Sequence, residues 1–362
     1  MKKYAIFAIL TFAFIGISTA IWNNRNNKDT AEQLLSLDSL LSESGTANLN
    51  KEGKDTRQSR TLRKIYTKSE MDSLHLPAVS DKLKKALQHQ LALLKKQHDS
   101  RHIGDLEIQT SDLEKVVALL TSSNSSADVK SQLEAYQISG ADQKGNVRFT
   151  GYYSPIVDAR YKSVAGFSHP VYIRTKKNDG TMTVVYVKNA EEVRNMRIEG
   201  VSFLKLPDGQ RFMVAFNGDY ENFEREDVAD AVEEEEHAEP KKVLAKYSAV
   251  FSQKDKNTPF GADRTPLTSD VTIAVDRAYI PLGAVVLAQV PIIDGSGNLV
   301  RHEYRLLVAQ DVGSAIRGAG HVDLYMGEGN EAKEKSRFMN KFGKIWILLP
   351  KNKSDGSIAQ KM

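Results

Sequence analysis

From Asn146 onward the apolar residues fall in short runs bounded by Gly, Asn and Asp, and this spacing constrains the fold more than any other feature. Short alternating or continuous apolar runs between turn residues read as strands. Residues 147–149, 171–173, 182–187, 201–206 and 210–216 form a first set, with Pro207-Asp208-Gly209 as a turn between the last two. Proline presets that turn and glycine accepts its positive φ. A second set, 271–275, 284–290, 304–310, 321–325 and 344–349, has short connections. One helix at about 330–339 interrupts it, and Gly343 is expected to end that segment. Many short strands with few helices favour a closed barrel, which leaves no sheet edge exposed.

Upstream the pattern changes period. Leu83, Ala86, Leu87, Leu91 and Leu94 recur at helical spacing, with Lys82, Lys84, Lys85, Lys95 and Lys96 on the other faces. Two further helices are expected after the caps Ser111-Asp112 and Ser126. The expected class is therefore mainly β with N-terminal helices. Residues 23–79 are polar and read as a tether with a short helix at 31–41, so ordered structure should begin near Ser80. The acidic run 233–236 reads as an exposed segment.

The N-terminus sets the compartment. Lys2 and Lys3 precede an uncharged apolar run, residues 4–22, with small residues at Ser18-Thr19-Ala20. This reads as a signal peptide or, if uncut, as an N-terminal membrane anchor. Either way the rest of the chain is expected to be exported across the membrane, soluble after cleavage or anchored. The 362 residues contain no cysteine, which excludes disulfides, thiolate metal ligands, a thiol nucleophile and attachment through a lipidated cysteine. The formal net charge of +4 is not concentrated in the way a nucleic-acid binder requires.

The stretch richest in chemistry runs from Leu306 to Tyr325. A strand ends at Asp311, a connection containing Gly313, Gly318 and Gly320 follows, and the next strand carries His321, Asp323 and Tyr325 on one face. Val322 and Leu324 point the other way. Two carboxylates are thus expected at the start of neighbouring strands. Spacing alone leaves open that both aspartates merely cap turns, the commoner role of Asp beside Gly. A phosphate cradle is excluded because the Walker lysine and its helix are missing.

Several blocks, taken in order, resemble the membrane-bound lytic murein transglycosylase A family. They are Phe149-Thr-Gly-Tyr-Tyr-Ser-Pro155 with His169-Pro-Val-Tyr172, then Ile198-Glu-Gly200 with Leu206-Pro-Asp-Gly209. Pro259-Phe-Gly-Ala262, Pro266-Leu-Thr268, Ile273-Ala-Val-Asp276 and Ile280-Pro-Leu-Gly283 follow, then Ala309-Gln-Asp311 through Asp323 and Gly343-Lys-Ile-Trp-Ile-Leu-Leu-Pro350. The similarity spans roughly 80–350.

The resemblance implies a double-psi β-barrel domain (80–155 and 250–350) interrupted by a second, inserted β-domain (156–249), with a groove between them and a tail at 351–362. It implies a lyase that cuts the β-1,4 bond between N-acetylmuramic acid and N-acetylglucosamine in peptidoglycan and leaves 1,6-anhydromuramic ends. Asp323 would be the single catalytic acid and base, with Asp311 as its assisting neighbour. Its carboxyl would hold a proton above the usual range, through burial and repulsion from Asp311. Substrate-lining roles fall to Thr150, Tyr152, Tyr153, Glu199, Asp276, Arg317, His321 and Tyr325.

Several of these have a plainer reading too. Adjacent tyrosines point to opposite faces of a strand, so part of the set belongs to the core; Asp276 could pair with Arg277, and Arg317 could bond its own loop. His321 is expected to support Asp323 rather than bind metal. Three positions depart from the family pattern: Glu199 stands where glutamine is expected, Val201 where a small residue is, and Ser314 where glycine is usual. The expected partner is the peptidoglycan glycan strand, met by a monomer with no cofactor, metal or nucleic acid. Rival readings are a barrel that binds wall glycan without cutting it, and a hydrolase in which Asp311 activates water.

Overall fold

The computed structural model describes residues 64–96, 100–103, 106–122, 126–174, 182–222, 247–254 and 258–351. The export segment, the short helix at 31–41, the acidic run 233–236 and all but the first residue of the tail lie outside these residues. The described residues begin with strand β1 (Tyr66–Ser69), helix α1 (Asp81–Leu94), the hairpin β2 (Ser100–Ile103) and β3 (Leu106–Gln109), helices α2 (Thr110–Ser122) and α3 (Ser126–Ser131), and strands β4 (Leu133–Ile138) and β5 (Val147–Ser154). A second region holds β6 (Ile156–Asp158), β7 (His169–Arg174), β8 (Met182–Val187), α4 (Ala190–Glu199), β9 (Val201–Lys205), β10 (Arg211–Asn222) and β11 (Tyr247–Gln253). The chain then returns through β12 (Thr272–Ala274), β13 (Val285–Ile293), β14 (Leu299–Asp311), β15 (His321–Glu328), α5 (Gly329–Arg337) and β16 (Asn340–Pro350).

Six strands close on themselves in the order β16, β13, β14, β12, β15, β5 and back to β16. The ring mixes antiparallel pairs with two parallel ones, β12–β14 and β15–β5. Closure removes the sheet edges that an open arrangement would expose. β4 and then β1 extend the sheet from β16. The continuous apolar runs of β13 and β14 follow from this architecture. Val285–Ala288 and Leu306–Ala309 are buried on both strand faces, one toward the barrel interior and one beneath α1 and α2. On α1, Leu83, Ala86, Leu87 and Leu94 are buried as their spacing requires, and Ser80 caps the helix by accepting from the Leu83 N–H.

The inserted region is a separate six-stranded sheet, β6-β9-β10-β11-β7-β8, with α4 packed on it. Its core is its own: Val171, Ile173, Val185, Met196, Leu204, Val214 and Phe251. This is the interrupted barrel that the resemblance implies.

Three expectations are corrected. Order begins well before Ser80: β1 pairs with β4, and Tyr66, Leu74 and Leu76 are buried in the barrel core, so the stretch 64–79 is not tether. The insert extends past 249, because β11 runs unbroken to Gln253 and Val250, Phe251 and Ser252 pair with β7. Gly343 does not end a segment either. It lies inside β16, where the strand stops pairing with β5 (Gly343 opposite Val147) and begins pairing with β13 (Lys344 opposite Gln289).

A Cβ on Gly343 would lie 2.1 Å from the Gln289 carbonyl oxygen and 2.8 Å from the Phe149 ring, so only glycine lets three strands meet there. Gly343→Ala is expected to lower the unfolding free energy by about 1–3 kcal/mol through overpacking. Chemical denaturation measures this, with Gly295→Ala as the control, since a Cβ at Gly295 meets nothing within 4 Å. Equal stability of the two variants would remove the packing role.

Candidate functional site

The barrel register lines up the chemistry in a row. Ala274 of β12 pairs with Asp311 of β14 on one side and with Asp323 of β15 on the other, and Asp323 is in register with Thr150 of β5. The two carboxylates are therefore not on neighbouring strands: β12 lies between them. Sequence missed this because β12 comes early in the second half of the chain and is threaded between two later strands.

Asp311 is held on both oxygens. Its Oδ1 accepts from the backbone N–H of Val312 at 2.9 Å and of Ala262 at 3.0 Å, and its Oδ2 from the Tyr152 hydroxyl at 3.0 Å. Burial raises this carboxyl above the usual range, while these three donors pull it back. A buried polar cluster beneath it fixes the loop that supplies Ala262. Gln310 accepts from Thr272 at 2.6 Å and donates to Thr265 at 2.8 Å and to Gln90 of α1 at 3.1 Å.

Asp323 is held on one oxygen only. Thr150 Oγ1 donates to its Oδ1 at 2.9 Å, and this is the sole hydrogen-bond partner of that carboxyl among the described residues. Thr150 also meets His321 Nε2 at 2.9 Å, and the Arg148 guanidinium reaches His321 Nδ1 at 3.3 Å. The same guanidinium nitrogen lies 3.4 Å from His321 Nε2, so Arg148 faces the ring between its two nitrogens. Burial, with Arg148 beside it, depresses His321 to about 4 against an opposing backbone bond to Ala315, so the ring is neutral near pH 7.

Burial is the largest influence on Asp323 and raises it to about 6; the Thr150 bond opposes this, Asp311 adds to it, and Arg148 opposes it.

The remaining expected residues separate into three groups. Tyr152 is half-buried, bonds Asp311, and lies with its ring 5.1 Å from that of Tyr325. Tyr325 and Tyr153 are buried in the core rather than lining a groove, and the Tyr325 hydroxyl pairs with Ser154 at 3.0 Å. Asp276 is bonded to backbone rather than to either carboxylate. Its Oδ2 accepts from the Gly318 N–H at 2.9 Å and its Oδ1 from the Ala278 N–H at 3.0 Å, which ties the glycine-rich connection to the barrel. Arg317 is exposed and donates to Gly313 and Ile316 of its own loop. Of the three glycines there, Gly318 has positive φ (+77°), whereas Gly320 is needed for close approach, since a Cβ would fall 2.5 Å from that of Ala141.

Glu199 ends α4 of the insert and reaches the barrel, its Oε2 accepting from the Tyr153 N–H at 3.1 Å. Arg148, Gln310 and Lys333 are site neighbours that the sequence reading overlooked. Arg148 had a signal, because it shares a strand face with Thr150 and Tyr152. No cluster of potential metal-ligating side chains occurs among the described residues.

Fold and site together define a closed barrel carrying two unlike carboxylates, one fully tethered and one open on a single oxygen, beside an inserted β-domain. A 3D domain model matches residues 271–349, which spans both carboxylates. Membrane-bound lytic murein transglycosylase A of Escherichia coli strain K12 is 31% identical over 253 residues, covering 60% of this chain and 69% of that protein. A homolog from Buchnera aphidicola is 30% identical over 260 residues, covering 60% and 70%. The chain belongs to the membrane-bound lytic murein transglycosylase A family. Among solved structures, E. coli MltA with bound chitohexaose superposes with a TM-score of 0.61 at 22% identity, over 83% of this chain and 98% of that one. MltA from Neisseria gonorrhoeae gives 0.55 at 20% identity, over 79% and 92%.

Proposed function

We propose that this chain degrades peptidoglycan in the cell envelope as a lytic transglycosylase, cutting between N-acetylmuramic acid and N-acetylglucosamine with Asp323 as both acid and base. The observation that carries the reading is the unequal tethering of the two carboxylates. Thr150 occupies Oδ1 of Asp323, so a proton on that carboxyl sits on Oδ2, free to be donated to the glycosidic oxygen. As the bond to the leaving sugar breaks, the new carboxylate takes the proton of the muramic 6-hydroxyl, whose oxygen attacks C1 and closes the 1,6-anhydro ring. The proton count closes without water. Asp311, with three donors already on its two oxygens, is poorly placed to activate a water as a hydrolase would require. Its charge instead helps Asp323 keep a proton.

Family kinship with membrane-bound enzymes supports an exported protein, with residues 4–22 as signal or anchor. Among the described residues no helix is long and apolar enough to cross a membrane.

Since the acid form is the active one, kcat/KM should fall as pH rises through about 6. Thr150→Val removes a hydrogen bond that favours the carboxylate, so this alkaline limb is expected to move to higher pH. The maximal rate should drop about tenfold as the carboxyl loses its orientation. A limb that stays in place or moves toward acid would remove Thr150 from the site. Digestion of purified sacculi with mass analysis of the muropeptides tests the reaction itself. Anhydro ends support it, free reducing ends support hydrolysis, and intact sacculi support binding alone.

A further inference from the structure

The last residue of α4 brings a further carboxyl, bonded on one oxygen only, within electrostatic reach of Asp323. Glu199 is half-buried, its Oε2 is taken by the Tyr153 N–H at 3.1 Å, and Gly200 with φ +75° then turns the chain into β9. Tyr153 lies on β5, the strand paired with β15, so this bond joins the insert to the wall that carries Asp323. Two charged groups act on Glu199 across this junction: Asp323 of β15 and Lys333 of α5. The insert strands packed against α4 carry His169 and Arg174 on β7, Tyr186 on β8 and Lys205 on β9.

We propose that Glu199 binds the glycan as a neutral carboxylic acid, Oε2 held by the Tyr153 N–H and Oε1 donating its proton to an uncharged sugar oxygen. This rests on the groove holding glycan, as proposed above. Only the protonated form offers both an acceptor to the backbone and a donor to the sugar; the carboxylate is acceptor-only.

Burial is the largest influence on this carboxyl; the Tyr153 bond opposes it, Asp323 adds to it, Lys333 opposes it, and the outcome is a rise to about 7. The sign follows. A carboxyl raised to that level is neutral in mildly acid conditions and ionises as pH climbs through neutrality. It then loses its donor and sets a negative charge against Asp323. Substrate affinity should therefore decline with pH for a reason separate from the loss of the Asp323 proton.

The test is calorimetric binding of chitohexaose in the Asp323→Asn background. There turnover is removed and position 323 carries no charge at any pH, so the Glu199 midpoint lies somewhat lower. The expected result is affinity about tenfold weaker in mildly alkaline than in acid buffer, the worth of one hydrogen bond to a neutral acceptor. Adding Glu199→Gln should flatten that ratio, since the amide keeps a donor and an acceptor at every pH. Adding Glu199→Ala should weaken binding even in acid. A pH ratio that survives Glu199→Gln would overturn the role of Glu199 while leaving the glycan groove standing. No binding at any pH would sink the groove reading and this proposal with it. Thermal melts of each variant separate loss of binding from loss of fold.

Discussion

Asp323→Asn should slow the release of anhydro-muropeptides from sacculi by about 10³-fold or more, the scale of a lost general acid with no substitute. Asparagine keeps the shape and can still accept from Thr150 through its carbonyl, but it has no proton to give and cannot take one from the muramic hydroxyl. The variant should fold, and melt at higher temperature than the parent at neutral pH. The sign is fixed by linkage. The folded carboxyl titrates near 6, above the ordinary Asp value of 3.8, so the folded state binds more protons than the unfolded one between them. Stability therefore falls as pH rises through that window, and a charged Asp323 is a burden above it. Removing the charge lifts the burden. Loss of rate with a raised melting point separates chemistry from folding; retained turnover would take Asp323 out of the mechanism.

Asp311→Asn should be the second most damaging change, with a rate about 10²-fold lower at neutral pH. The loss has two parts. The amide can keep its oxygen on the Ala262 and Val312 N–H groups and turn its nitrogen to Tyr152, whose hydroxyl can rotate to accept, so the local geometry survives. The negative charge does not survive, and with it goes part of what raises Asp323. The alkaline limb should consequently shift toward acid, opposite in direction to the shift expected for Thr150→Val. A pH–rate profile of the two variants beside the parent reads both shifts. A near-normal rate in Asp311→Asn would reduce the residue to a structural role.

Much of this arrangement was legible in the residues, for identifiable reasons. The stretches 284–288 and 306–309 are apolar without alternation because helices cover the outside of the barrel, and that continuity marks buried strands even when their partners are unknown. Asp323 stood out because Val322 and Leu324 take the opposite face. Helix α4 was missed because Met196 is its one fully buried side chain, which leaves little periodicity to detect. β1 was read as tether because only Tyr66 of its four residues is buried. Tyr153 was expected at the groove because aromatic rings suit sugars, and Tyr325 because it shares a strand face with Asp323. Strand parity alone does not say which face of β5 the barrel turns inward, nor that Tyr325 is covered by the Tyr152 ring.

The roles of Asp276 and Gln310 depend on contacts across long sequence separations. Asp276 pins Gly318, and Gln310 joins α1 to the loop that feeds Asp311. Neither contact has a local signature, so only the closed ring of strands reveals them.

The central claim is that one carboxyl serves the glycan twice while solvent stays out of the chemistry. Digestion of sacculi in water enriched in heavy oxygen, followed by mass analysis of the released ends, addresses it most directly. Muramic ends free of the label are the result expected if the sugar's own hydroxyl closes on C1. Label at C1 would mean that a water made the attack, and the account built on Asp323 acting alone would be wrong.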